Sequence, residues 1–131
     1  MKKITFIGLG VMGFPMAGHL AKEGYNVTVY NRSEEKSKLW IKNHIGNYST
    51  SIKEAVSDSD IVFSCVGNDT DLREITLGTD KAFSSMKPGS VFIDHTTTSS
   101  DIAVELSEKA KELNIHFLDA PVSGGEVGAV K

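Results

Sequence analysis

Residues 3–24 read KITFIGLGVMGFPMAGHLAKEG, and positions 8–13 carry the motif G-x-G-x-x-G. The segment before the motif is short and apolar, which is typical of a buried strand. Apolar side chains then recur at helical spacing up to Leu20, and Gly24 can end that helix. We therefore predict a strand over 3–7, a tight turn at the glycines, and a helix that begins near Gly10 or Val11.

A basic start followed by an apolar run is also a feature of secretory signal peptides. Four glycines and Pro15 interrupt residues 8–18, however, and signal cores favour uninterrupted helix formers. The order of the glycines has a mechanism of its own. The first permits the turn, the second leaves room for a pyrophosphate against the backbone, and the third lets the helix pack close to the strand. Free N–H groups at the helix start attract phosphate. We interpret this stretch as a dinucleotide-binding turn.

The rest of the chain alternates between the two kinds of secondary structure. Further strands are predicted at 25–30, 46–50, 60–66, 90–96 and 115–121, and further helices at 33–43, 51–59, 70–78, 80–86 and 101–113. Ser33 is placed to cap the second helix. Such alternation predicts an α/β fold, a Rossmann-type doubly wound parallel sheet with helices on both faces.

The composition excludes several classes of function. The 131 residues carry 14 basic and 17 acidic side chains, a net charge of −3, which gives no electrostatic footprint for nucleic acid or a membrane surface. The single cysteine, Cys65, suits a reducing cytoplasm. The four histidines have no metal-ligand spacing, so no metal is expected. Only His95, at a strand end, is kept as a possible site residue.

In parallel sheets ligands bind beyond the carboxyl ends of the strands, so each strand end is a candidate site. The second strand ends in Asn31-Arg32-Ser33, where an Asp or Glu would favour NAD. Asn31 is uncharged, and the planar cation of Arg32 suits a 2′-phosphate. The cofactor is therefore predicted to be NADP, with NAD possible. The alternative is that Arg32 is only a solvent-exposed residue beside a helix start.

Four motifs in order resemble those of the β-hydroxyacid dehydrogenases, the 3-hydroxyisobutyrate dehydrogenase family. They are GLGVMGFPMAGHL at 8–20, NRS at 31–33, DHTTTS at 94–99 and DAPVSGGEVGA at 119–129. The resemblance implies an oxidoreductase that oxidises a small 3-hydroxy acid reversibly. It equally implies one that reduces a semialdehyde, such as succinic semialdehyde, or glyoxylate.

The resemblance also implies roles for individual residues. The pyrophosphate would be held by Gly8, Leu9, Gly10, Val11 and Met12, and the adenosine ribose with its phosphate by Asn31 and Arg32, with Ser33 beside them. Val66, Gly67 and Asn68 would run beside the nicotinamide, and Thr97 would contact its ribose. The substrate carboxylate would bind Ser123, Gly124 and Gly125, where a hydroxyl and successive N–H groups can form an anion-binding nest. The alternative for 123–125 is a flexible turn.

Part of the family pattern is missing. The family's catalytic lysine lies in G-x-x-G-x-G-x-x-x-K-x-x-x-N, which this sequence lacks, so no catalytic residue is predicted here. Residues 1–131 are expected to be a dinucleotide-binding domain incomplete at its C-terminal end, without the family's helical domain for substrate binding and dimerisation. The parent protein is then expected to be a homo-oligomeric enzyme, and this chain alone to be inactive.

Three rival interpretations remain. A 6-phosphogluconate dehydrogenase also contains Ser-Gly-Gly, but we would then expect Asn at position 15 and no Asp-Ala-Pro at 119–121. A catalytically inactive NADP-binding module fits the same motifs. A nucleosome-associated member of the superfamily would need basic segments that this chain lacks.

Overall fold

The computed structural model describes residues 2–97 and 99–121, which form one six-stranded sheet with helices on both faces. The strands are β1 (Lys3–Ile7), β2 (Asn26–Tyr30), β3 (Asn47–Tyr48), β4 (Ile61–Ser64), β5 (Val91–Asp94) and β6 (His116–Asp119). The helices are α1 (Gly13–Lys22), α2 (Glu34–Asn43), α3 (Ile52–Val56), α4 (Asp69–Thr76), α5 (Ala82–Ser85) and α6 (Ser100–Glu112). The predicted Rossmann-type fold is confirmed.

The sheet is parallel throughout, in the order β3-β2-β1-β4-β5-β6. The order reverses between β1 and β4, which is the switch point where such sheets bind ligands. The register aligns the strand ends there, because Ile7 pairs with Tyr30 on one side and Ser64 on the other. Ser64 pairs in turn with Asp94. The loops that follow these strands therefore meet at one edge.

Successive side chains of the strands pack into two separate hydrophobic cores, one on each face of the sheet. Phe6 points to the face covered by α1 and α2, where Trp40 is fully buried. Ile7, the next residue, points to the opposite face, which α3 to α6 cover. Burial on both faces is why β1 and β2, in the middle of the sheet, do not show a clear alternation of apolar and polar residues.

The helix starts differ from the predicted ones. Helix α1 begins at Gly13 rather than near Gly10, because residues 10–12 are used by the turn, although Phe14 N–H already bonds to the Gly10 carbonyl at 3.0 Å. Ser33 occupies the N-cap position of α2, but its side chain makes no capping hydrogen bond. Gly24 follows the end of α1 with φ +96°, as predicted. Within the described residues no helix is long and apolar enough to cross a membrane.

Candidate functional site

A cavity of about 710 Å³ opens at the carboxyl edge of the sheet, between the β1–α1 turn, the residues after β2, and helix α4. Its volume lies within the range of about 300–1,000 Å³ that is usual for ligand pockets. Nine of the predicted cofactor residues line it: Gly8, Gly10, Val11, Met12, Asn31, Arg32, Ser33, Val66 and Gly67. Among the lining residues that the sequence analysis did not predict are Asp71, Glu74 and Lys81. The cavity is therefore built by both halves of the sheet.

The three motif glycines do different things in the turn. Gly8 has φ +102°, and a Cβ there would lie 2.2 Å from the Cys65 carbonyl oxygen. A Cβ on Gly13 would lie 1.9 Å from the Gly8 carbonyl oxygen. Gly10 is exposed, and a Cβ there would meet nothing within 4 Å. The first and third glycines are therefore required by the fold, whereas the second is required by nothing in the chain itself.

The turn presents backbone donors to the cavity. The N–H groups of Gly10, Val11 and Met12 have no hydrogen-bond partner among the residues that the structure describes. They lie just before the first residue of α1, where the helix dipole adds positive potential. An open position beside free N–H groups is a suitable seat for a phosphate group.

Asn31 and Leu9 join the turn to the end of β2. The Asn31 side-chain oxygen accepts a 2.8 Å hydrogen bond from the Leu9 N–H, and its NH₂ group donates to the Ser33 carbonyl at 3.1 Å. The Leu9 side chain is only 1 % exposed and packs in the α1–α2 core. Leu9 thus lies outside the cavity wall, and its N–H is already engaged by Asn31.

Arg32 reaches across the cavity to helix α4. Its Nη2 atom donates to Asp71 Oδ1 at 3.0 Å and lies 3.9 Å from Glu74 Oε2. Its side chain is 70 % exposed, compared with 26 % for Asp71. The hydrogen bond to Asp71, together with the charges of Asp71 and Glu74, raises the pKa of Arg32 above its ordinary value. Arg32 is a fully charged cation whose partners in this structure are carboxylates of the chain.

A buried carboxylate organises the ends of β4 and β5. Asp94 is fully buried, and its Oδ1 atom accepts hydrogen bonds from the Ser64 hydroxyl at 2.7 Å and the Thr96 N–H at 3.0 Å. The Thr96 hydroxyl in turn accepts from the Val66 N–H at 2.9 Å. Burial raises the pKa of Asp94, although these hydrogen bonds oppose the shift. This chain of contacts fixes Val66, which lines the cavity.

The remaining predicted residues lie away from the cavity wall or outside the described part. Asn68 caps α4 by accepting a 2.9 Å hydrogen bond from the Asp71 N–H, and Thr97 is exposed beyond β5. Ser123, Gly124 and Gly125 lie outside the described residues. His95 donates from Nδ1 to the Ala120 carbonyl at 2.7 Å, and its ring stacks on Phe63 with centroids 5.7 Å apart. No cluster that could hold a metal is present in residues 2–97 and 99–121.

Comparison with known proteins now places the chain. Residues 3–131 match the family described as the NAD binding domain of 6-phosphogluconate dehydrogenase. The chain belongs to this family. Its cofactor class is therefore a nicotinamide dinucleotide, the class for which the turn and the open Gly10 position are suited.

Individual relatives of the chain are named as oxidoreductases. The chain is 53 % identical over 129 residues to an uncharacterized oxidoreductase of Shewanella frigidimarina, covering 98 % of this chain and 44 % of that protein. It is 41 % identical over 127 residues to the Arabidopsis thaliana protein named "Probable 3-hydroxyisobutyrate dehydrogenase-like 2, mitochondrial", covering 97 % of this chain and 42 % of that protein. The chain thus spans less than half the length of these relatives.

A solved structure shows the same arrangement. Mycobacterium tuberculosis 3-hydroxyisobutyrate dehydrogenase with L-serine superposes with a TM-score of 0.91 at 32 % identity, covering 99 % of this chain and 43 % of that one. Together with the relatives, it supports the predicted membership of a 3-hydroxyisobutyrate dehydrogenase-like group of oxidoreductases.

Two kinds of contributor to this site were not predicted from the sequence. Asp71 and Glu74 lie in a segment where the sequence shows only an ordinary helix, and no local pattern ties them to Arg32. Thr96 was noticeable, because it stands within the DHTTTS motif, but its partner Val66 is 30 residues away in sequence. Contacts between distant segments are what a one-dimensional pattern does not contain.

Proposed function

We propose that this chain is the NADP-binding half of an oxidoreductase that interconverts a small 3-hydroxy acid and its semialdehyde or keto form. The observation that carries the proposal is one cavity with the open Gly10 turn in one part of its wall and Arg32 in another. The bound dinucleotide would supply or accept the hydride, while the residues of this chain bind it and orient it.

Different residues of this chain would bind different parts of the cofactor. The free N–H groups of residues 10–12 would bind the pyrophosphate, and Arg32 with Ser33 would bind the 2′-phosphate of the adenosine ribose. Asn31 lines the cavity beside Arg32, and its side-chain oxygen also holds the Leu9 N–H and so fixes the turn. Val66, Gly67 and Thr97 would line the nicotinamide side, and 123–125 would bind the substrate carboxylate.

Binding titrations test the cofactor part of this proposal. Arg32→Ala is expected to weaken NADPH binding by about 1.5 kcal/mol, the low end of the range for a charged hydrogen bond, because Arg32 gives up Asp71 when it binds phosphate. NADH binding should be nearly unchanged. The matched control is Arg73→Ala, which removes another exposed arginine, paired with Glu105 at 2.8 Å and outside the cavity wall. Equal losses for the two cofactors would rule out the 2′-phosphate role.

The substrate part has a second candidate, because the matching family is named for 6-phosphogluconate dehydrogenase. The 3-hydroxyisobutyrate dehydrogenase-like relative and solved structure favour the small hydroxy acid. The two can be separated in a longer protein that joins this chain to the lysine-bearing part of the family. We expect NADPH-dependent reduction of semialdehydes or glyoxylate there. Reduction of NADP by 6-phosphogluconate would support the other candidate instead.

A further inference from the structure

An ion pair crosses the mouth of the cofactor cavity. Arg32 comes from the segment after β2, and Asp71 and Glu74 come from helix α4 on the other side of the switch point. All three line the cavity. A ligand group that binds the Arg32 guanidinium must therefore share it with these carboxylates or displace them.

The two partners of the pair are not equally held. The second carboxylate oxygen of Asp71 lies 2.7 Å from the place where a Cβ on Gly67 would be, so the missing side chain of Gly67 makes room for it. The Asp71 backbone N–H is bound by Asn68 Oδ1. Arg32 is a long side chain that is 70 % exposed and has no other partner among the described residues. Asp71 is thus the fixed member and Arg32 the movable one.

We propose that Asp71, assisted by Glu74, limits the preference for NADPH over NADH by competing with the 2′-phosphate for Arg32. This inference rests on the proposed function, since it requires a dinucleotide in the cavity. A 2′-phosphate would bring negative charge towards two carboxylates and would need the guanidinium that they already hold. The neutral 2′-hydroxyl of NADH meets neither cost. The two carboxylates therefore weaken NADPH binding selectively and leave NADH binding almost untouched.

Variants that remove one negative charge and keep nearly the same side-chain shape test this inference. Asp71→Asn should tighten NADPH binding about three- to tenfold, above the effect of a fully exposed ion pair because Asp71 is half-buried. NADH affinity should change less than twofold. Glu74→Gln should act in the same direction but more weakly, since it lies 3.9 Å from Nη2. The control is Asp58→Asn, which makes the same change in net charge at an ion pair with Lys3 remote from the cavity.

A double variant separates competition from simple repulsion. In an Arg32→Ala background, Asp71→Asn has no guanidinium to release, so most of its gain in NADPH affinity should vanish. All variants are titrated with NADPH and NADH by nicotinamide fluorescence at fixed low salt, and a thermal melt checks that each is folded.

The outcomes distinguish a failure of this inference from a failure of the proposed function on which it rests. Folded wild-type chain that binds neither dinucleotide would overturn both. Wild-type binding with no gain for Asp71→Asn, or an equal gain for Asp58→Asn, would overturn only the competition. A clear loss of NADH affinity in Asp71→Asn would also overturn it, because Asp71 would then bind the ribose 2′-hydroxyl.

Discussion

Gly10 and Gly13 are three residues apart in one turn, yet substitution should mainly weaken cofactor binding at Gly10 and mainly lower stability at Gly13. An Ala Cβ at Gly13 would start 1.9 Å from the Gly8 carbonyl oxygen and 3.1 Å from the Phe6 ring. The Gly8 carbonyl belongs to the backbone, and a Cβ at Gly13 would be attached to the backbone of α1. Gly8 and the helix must therefore separate by about 1.1 Å to reach even a 3.0 Å contact. We expect Gly13→Ala to lower the free energy of unfolding by about 3 kcal/mol, the upper end for overpacking.

At Gly10 the structure offers no such obstacle. A Cβ there meets nothing within 4 Å, and the backbone does not have a positive φ. Gly10→Ala and Gly10→Val should therefore change the free energy of unfolding by no more than about 0.5 kcal/mol. The added side chain would instead occupy the cavity where we place the pyrophosphate. Gly10→Val should weaken NADPH binding at least about tenfold, or 1.4 kcal/mol, with Gly10→Ala intermediate.

Both properties can be measured on the same preparations. Urea and thermal unfolding followed by circular dichroism report stability, and a shift of roughly 10 °C is expected for Gly13→Ala in a domain of this size. Nicotinamide fluorescence reports binding. If Gly10→Val binds NADPH as the wild type does, the pyrophosphate is not beside Gly10. If Gly13→Ala melts with the wild type, the close contact with Gly8 is not a constraint.

Two further predictions concern the buried Asp94 and turnover. Burial raises the pKa of Asp94 in the folded state above the unfolded value of about 3.9, so the folded state binds its proton more tightly. The wild type should therefore gain stability relative to Asp94→Asn as the pH falls from 7 through that raised pKa towards 4. Urea unfolding at several pH values measures this, and a difference in unfolding free energy that does not change with pH would contradict it. We also expect no turnover by the 131-residue chain. In the presence of each semialdehyde tested, it should oxidise NADPH no faster than the Gly10→Val variant does. The lysine-bearing motif is not in its sequence, and general acid–base catalysis is worth about 10²–10⁴-fold. Clear turnover would make His95 the first residue to substitute.

The fold could be predicted because its signals are local. The four central strands are short runs rich in apolar residues, and the segments between the strands have helical spacing or capping residues. The start of α1 was less predictable, since the turn at residues 10–12 and the first helical turn share one hydrogen bond, Phe14 N–H to Gly10. Where two local structures use the same residues, the sequence marks the region but not the boundary.

The site was predictable in its location and less so in its contacts. The rule that ligands bind at carboxyl ends of parallel strands placed Gly8, Asn31 and Val66 on one cavity. It did not show what each polar atom does. Asn31 was expected to hold the ribose and does line the cavity, but the sequence did not show that its amide also bonds to Leu9 and Ser33 within the chain. That depends on how closely the turn approaches the end of β2, which only the folded chain determines.

The residue at the end of β2 is therefore an incomplete guide to the cofactor. In the usual rule an acidic residue there repels a 2′-phosphate, and Asn31 removes that acid. Negative charge is nevertheless present close to this position in the structure. It comes from α4, because Asp71 and Glu74 lie against the guanidinium of the next residue, Arg32. Within the described part, two cations and two carboxylates line the cavity. A balanced wall of this kind gives little net attraction for an extra phosphate, so the NADPH preference that we propose would have to come from the position and freedom of Arg32 itself.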